Sequence, residues 1–187
     1  MKTKSSQKTR DQVLGVMSAQ RAKRCLLDWA NLRAASGDVD TVHRRLIQRY
    51  PEIFPAGAPD GPLMPSQQSE GIVLGFGMLL VKAWDARTLR VREWYLHDAE
   101  SFYHRVTNRF ADPPTHATPI EALVYYFRRN AERALHCPNP DCVAPYFFAT
   151  KKGQKYCSDI CALPAQRESK LRWWRENRSS TPPKKEK

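Results

Sequence analysis

Apolar residues recur at roughly helical spacing through most of the first 135 residues. Between Asp11 and Ala35 they are Val13, Leu14, Met17, Cys25, Leu26, Trp29 and Leu32, with Gly37 following as a stop. Asp38 or Asp40 can cap a second helix carrying Val42, Leu46, Ile47 and Tyr50, which Pro51 and Pro55 break. Residues 51–69 hold five prolines and two glycines and read as a loop. Glu70–Trp84 is apolar on nearly every side and predicts a buried helix, with Gly75 and Gly77 as weak points. Gly75-Phe-Gly77 lacks the third glycine and the strand context of a phosphate loop.

Ala86–Val106 predicts a further amphipathic helix through Leu89, Val91, Trp94, Leu96, Phe102 and Tyr103. Thr118-Pro-Ile-Glu121 spells a capping box with proline at the first helical position, and predicts a helix running to about Leu135. The expected organisation is a basic tail (1–10), an all-α domain of five helices (11–135), a cysteine-rich module (136–178) and a second basic tail (179–187). The fold class is mainly α, with a small C-terminal unit of β-hairpin plus helix.

That unit is defined by four of the five cysteines. Cys137-Pro-Asn-Pro-Asp-Cys142 and Cys157-Ser-Asp-Ile-Cys161 are two close pairs on either side of Ala144–Tyr156. The intervening segment reads as a hairpin turning at Lys151–Gln154, where Gly153 can supply positive φ. Cys157 and Cys161 are four apart, so at a helix start capped by Ser158 they point the same way. Four thiolates about 2.3 Å from one ion make a closed tetrahedral structural zinc site. Metal binding of about 10–16 kcal/mol would fold a segment too small to fold alone. Two disulfides or plain buried thiols are the alternatives, and disulfides require an oxidising compartment. His136 is a conceivable substitute ligand, and Cys25, over a hundred residues away, reads as a small core residue. Pro164 predicts a break after a short turn at Ser158–Ala162, then a new helix whose Leu171 and Trp174 pack inward.

This C-terminal segment resembles the CGNR-type zinc fingers of bacteria. The likeness rests on Cys137–Cys142, Tyr146-Phe-Phe148, Gln154-Lys-Tyr-Cys-Ser158, Ala165–Lys170 and Trp173-Trp174, about 45 of 187 residues. The tetrad that names the family reads Cys161-Ala-Leu-Pro164 here. The resemblance implies a treble-clef finger at the end of a helical protein and a role in transcription regulation.

Charge sharpens the picture. The net charge is +12, and its whole excess lies in residues 1–24 and 137–187, around a neutral middle. A chain that meets a polyanion shows this asymmetry, although lysine-rich tails also serve solubility. Lys151, Lys152, Lys155, Lys170, Arg172, Arg175 and Arg178 are the expected phosphate contacts. The expected partner is nucleic acid, DNA before RNA, and the competing reading is a protein-interaction module whose zinc is purely structural. Ala144–Tyr156 contains no His, Asp or Glu to hold a catalytic metal, and His97, His104, Asp98 and Glu100 read as a mixed polar surface. A non-catalytic protein is therefore expected. The N-terminal residues lack the apolar region of a secretory signal, and the longest uncharged apolar run, Gly71–Val81, is eleven residues. A cytoplasmic location is the expectation.

Overall fold

A computed structural model describes residues 17–35, 38–54, 70–107 and 118–178; the two tails, the start of the expected first helix with Val13 and Leu14, its Gly37 stop, the proline-rich loop and residues 108–117 lie outside the described residues. The first helix, α1 (Ala19–Ala35), buries Ala22, Cys25, Leu26, Trp29 and Ala30 along one stripe. Asp38 caps α2 (Val39–Arg49) by accepting from the Asp40 and Thr41 amides at 3.1 and 3.3 Å. Val42 and Leu46 face inward, and a 3-10 turn at Pro51–Ile53 closes the pair.

A π-helical turn, Ile72–Phe76, leads straight into α3 (Gly77–Asp85). Glycine is required in it because a Cβ on Gly75 would lie 2.1 Å from the Phe102 ring. The expectation of burial on every side is corrected here: Leu74 and Met78 are exposed on the outer face. Thr88 caps α4 (Leu89–Val106), whose inward stripe is Arg92, Leu96, Ala99 and Tyr103. Leu89, Val91 and Trp94, expected on the apolar face, are exposed, and a charged residue takes the buried place.

That place is satisfied by acceptors. Arg92 donates to the carbonyls of Ala83 at 2.9 Å, Trp84 at 3.1 Å and Ala86 at 3.2 Å, and also to Ala131. It thereby caps the C-terminal carbonyls of α3, where a cation is favoured.

The capping box at Thr118 forms in both directions and starts α5 (Pro119–Arg129). This helix ends six residues short of Leu135. Asn130 closes it, a 3-10 turn at Ala131–Arg133 follows, and the chain straightens into β1 (Ala134–His136). Two carbonyls of this stretch are claimed from elsewhere: Ala131 O, which a longer helix would use, by Arg92, and Leu135 O by the Trp84 indole at 3.0 Å. β1 pairs antiparallel with β2 (Tyr146–Phe148), His136 opposite Tyr146 and Ala134 opposite Phe148. The sheet therefore brackets the first cysteine pair.

The hairpin expected within Ala144–Tyr156 is a correction of the same kind. Its turn exists, with Gly153 at φ +78°, but no second strand follows. A returning strand would have to pair with the outer edge of β2, and Asn31 of α1 already occupies that edge at Tyr146. The Gln154 carboxamide supplies the missing partners instead. It accepts from the Thr150 amide at 2.9 Å and donates to Tyr156 O at 2.9 Å.

β2 is buried on both faces, and alternation sends its side chains into two cores. Tyr146 and Phe148 join the helical core around Trp84 and Phe127, with Trp84–Phe148 centroids 4.8 Å apart. Phe147 points the other way, into a small cluster with Cys137 and Ala149.

The last helix, α6 (Asp159–Asn177), runs unbroken through Pro164, contrary to the expected break. Proline at the sixth helical position removes one amide donor, while the turn before it is secured by the Ser158 cap on the Cys161 amide at 3.3 Å. No residue of α6 is buried. Leu171 and Trp174 do not pack inward; they are 55% and 61% exposed.

Candidate metal centre and basic surface

Three separate pieces of chain deliver the four sulfurs. Cys137 continues β1, its amide donating to Pro145 O at 2.7 Å, and its side chain is buried. The knuckle then turns back on itself. Asn139 Oδ1 accepts from the Asp141 amide at 3.1 Å, and the Cys142 amide donates to Asn139 O at 3.1 Å. Cys157 precedes α6 and Cys161 lies in its first turn, one helical turn apart on the same side.

The sulfurs of Cys137, Cys142, Cys157 and Cys161 all lie within 4.8 Å of one another. Cys142 Sγ is 3.5 Å from Cys157 Sγ, which is 3.5 Å from Cys161 Sγ. A disulfide needs about 2.05 Å, so these are not bonded pairs. A tetrahedron with 2.3 Å metal–sulfur bonds has edges of about 3.8 Å, close to what is found. Phe147, Ala149, Leu135 and Tyr156 pack round the sulfurs.

Proton affinities within the cluster are uneven. Burial pushes the Cys157 thiol up to about 12 and raises Cys142 as well. The Ser158 hydroxyl, with Cys157 second, holds Cys161 down to about 7. One thiolate thus forms readily, and further ones crowd negative charge into a space that a cation would neutralise. Cys25 lies apart from the cluster, fully buried in the helical core, and burial pushes its thiol well up.

The expected phosphate contacts fall on two elements. Lys151, Lys152 and Lys155 are exposed round the Gly153 turn. With Arg133 and His136 they line an open groove of about 780 Å³. Lys170, Arg172, Arg175 and Arg178 are exposed on α6, where Arg172 pairs with Glu168 at 3.1 Å.

A second group, Glu100, His104 and Glu121, also brings ligand atoms within 4.8 Å. Its carboxylates are already engaged: Glu100 with Arg128 at 3.2 Å, and Glu121 with the Thr118 amide at 2.6 Å and His104 at 3.4 Å. The Arg128 guanidinium beside it opposes a divalent cation. Of the four residues expected to form a mixed polar surface, Glu100 and His104 meet here and Glu121 joins them, while His97 stands outside and Asp98 pairs with Arg105 at 3.9 Å.

Sequence reasoning missed the groups that seat the cysteine-bearing segment on the helices. These are Asn31, which bonds both ways to the Tyr146 backbone, and Asp85, which accepts from Tyr146 Oη at 3.2 Å. The one available signal was a polar Asn beside Ala30 on a buried helical stripe.

The molecule is thus a mainly helical protein with a two-stranded sheet near its C-terminus and four cysteines clustered at metal-binding distance. Among the described residues, no helix is long and apolar enough to cross a membrane. No protein-family model matches the chain, no curated protein matches it, and no solved structure matches it.

Proposed function

We propose that this chain is a zinc-stabilised nucleic-acid-binding protein, and that its role is in bacterial transcription regulation. The observation that carries the reading is the convergence of four sulfurs from β1, the knuckle and α6, beside an exposed set of lysines and arginines. An all-sulfur tetrahedral set suits zinc, which imposes no geometry of its own and takes up no electron. Four thiolates leave the ion no open position, so it is scaffold and not catalyst. Knuckle, turn and helix in that order are the parts of a treble clef. The ion fixes the start of α6 against the Gly153 turn, and so holds both groups of cations on one frame.

Contacts of this kind address phosphates, which position a nucleic acid without reading its sequence. The test is gel retardation of mixed-sequence duplex and single strands across a salt series, with Lys151→Glu, Lys152→Glu and Lys155→Glu combined in one variant. The expected result is binding at low salt that weakens steeply as salt rises, and a clear loss in the variant. Failure of the full chain to retard either form at low salt overturns the reading. It would leave the protein-interaction module, with the same zinc as a brace, as the better account.

A further inference from the structure

Resting on that reading, we infer that α6 selects unpaired bases: Trp173 and Trp174 form a stacking platform for single-stranded nucleic acid, flanked by cations on the same helix. The two indoles are 55% and 61% exposed, with centroids 5.0 Å apart and planes at 81°. They hold each other edge to face, which steadies two large aromatic surfaces in solvent without covering them. Nothing in the fold requires them there, because α6 contributes no buried residue.

The arrangement round the helix decides the occupant. Arg167, Leu171, Trp174 and Arg178 recur at spacings of four, three and four, with Lys170 beside them, so cationic and apolar groups share one stripe. Glu168, which engages Arg172, lies about a quarter turn from the stripe, and Glu176 lies opposite the stripe, one turn on from Trp173. A helix that lies in a membrane surface separates its cations from its apolar face; here immersion of Trp174 would drag Arg167 and Arg178 into lipid. A helix that packs on a second copy of the chain would place two or three guanidinium groups at the centre of the contact. A nucleic-acid strand, by contrast, offers bases and phosphates in alternation. At about 1.5 Å rise and about 100° per residue, the stripe runs cation, leucine, indole, cation in steps of roughly 6, 4.5 and 6 Å, and Trp173 opens a second indole face next to it. Bases stack on the indoles while neighbouring phosphates meet Arg167, Lys170 and Arg178. Duplex DNA hides its base faces, so the tryptophans add nothing to duplex binding.

The experiment measures binding of the full-length, metal-loaded chain to an oligothymidylate of about twenty nucleotides and to a mixed-sequence duplex, by fluorescence anisotropy. Trp173→Ala/Trp174→Ala is compared with Trp173→Phe/Trp174→Phe, metal content and circular dichroism confirming that both stay folded. The expected result is a loss of at least about tenfold for the oligothymidylate in the alanine variant, near wild-type binding in the phenylalanine variant, and unchanged duplex binding in both. The salt slope of the alanine variant stays that of the wild type, whereas Lys170→Gln/Arg178→Gln lowers it by about 1.4. Unchanged oligothymidylate binding by the alanine variant overturns the inference, as does an equal loss on duplex. So does tryptophan-dependent sedimentation with phosphatidylcholine–phosphatidylglycerol vesicles, or a dimer that the alanine variant dissolves. If duplex and single strand bind alike without the indoles, only this inference falls. If the wild type binds neither, the proposed function falls with it.

Discussion

Asn31 and Tyr146 exchange two hydrogen bonds across 115 residues of sequence. The carboxamide of Asn31 donates to Tyr146 O at 3.0 Å and accepts from the Tyr146 amide at 2.9 Å. One side chain thereby does for β2 what a third strand would do, and it does so from the C-terminal part of α1. The cysteine-bearing segment is consequently not a bead on a string: its strand is a wall shared by the helical core and the sulfur cluster.

Replacing Asn31 with Ala should leave a buried amide and carbonyl without partners and cost roughly 2 kcal/mol. Asn31→Asp should recover little, since a carboxylate accepts from the Tyr146 amide but faces the Tyr146 carbonyl with no donor. Urea unfolding at fixed metal concentration measures both. A change within about 0.5 kcal/mol for Asn31→Ala would mean that the pair does not hold the sheet.

Arg92 is the second long-range tie. Arg92→Met keeps the stem but strands the carbonyls of Ala83, Trp84, Ala86 and Ala131, and should cost about 3 kcal/mol. Arg92→Lys should be nearly as damaging, because a single ammonium cannot span acceptors that a planar fork reaches. Thermal unfolding of the two variants checks this, and rescue by Lys would contradict it.

The π-helical turn depends on Gly75. An added methyl meets the Phe102 ring, so Gly75→Ala should lose about 2 kcal/mol by overpacking. Combining it with Phe102→Leu should recover part of that loss, giving a favourable coupling in a double-mutant cycle. Strict additivity would show that the clash is relieved some other way.

Alkaline stability reports on the docking of Tyr146. Burial, with Asp85 next, raises its phenol from the usual 10 to about 12. The unfolded chain therefore loses this proton first, and the contribution to stability is intact below pH 10 and falls between about 10 and 12. Tyr146→Phe should make the decline in that window shallower by up to about 1.4 kcal/mol per pH unit. Parallel pH profiles of variant and wild type would sink the assignment.

What was legible in the sequence was what neighbours decide. The Thr118-Pro-Ile-Glu121 capping box forms as read, and of the two candidate caps Asp38 and Asp40 it is Asp38 that forms, each involving partners two or three residues apart. The cysteine spacing likewise encodes its own geometry, because the knuckle and the helix start are each local. Partners chosen at a distance were not legible. Ala134-Leu-His136 reads as the end of a helix until Trp84 and Arg92 claim nearby carbonyls. The strand beyond the Gly153 turn reads as half a hairpin until Asn31 takes the edge it would need. Nothing local to Arg92 says that four carbonyls await it. Pro164 reads as a break, yet one lost hydrogen bond does not end a helix that a cap has already started.

Metal removal should act unevenly along the chain. Chelation should abolish amide protection from 138 to 144 and from 150 to 178, where the sulfurs provide the organisation. β1 and β2 should remain protected, since Asn31, Trp84 and Tyr146 pin them to the helices. Hydrogen exchange with and without chelator measures this, and uniform loss across residues 17–178 would show that sheet and helices fold only with the ion.

The claim on which the rest depends is that these four sulfurs hold one ion. Native mass spectrometry of the full chain, paired with elemental analysis, tests it directly, alongside single Cys→Ser variants at 137, 142, 157, 161 and, as control, 25. The expected result is one zinc per chain, lost or sharply weakened in the first four variants and retained in Cys25→Ser. A folded wild-type chain that carries no metal, or one whose zinc survives replacement of Cys142 or Cys157, would contradict it.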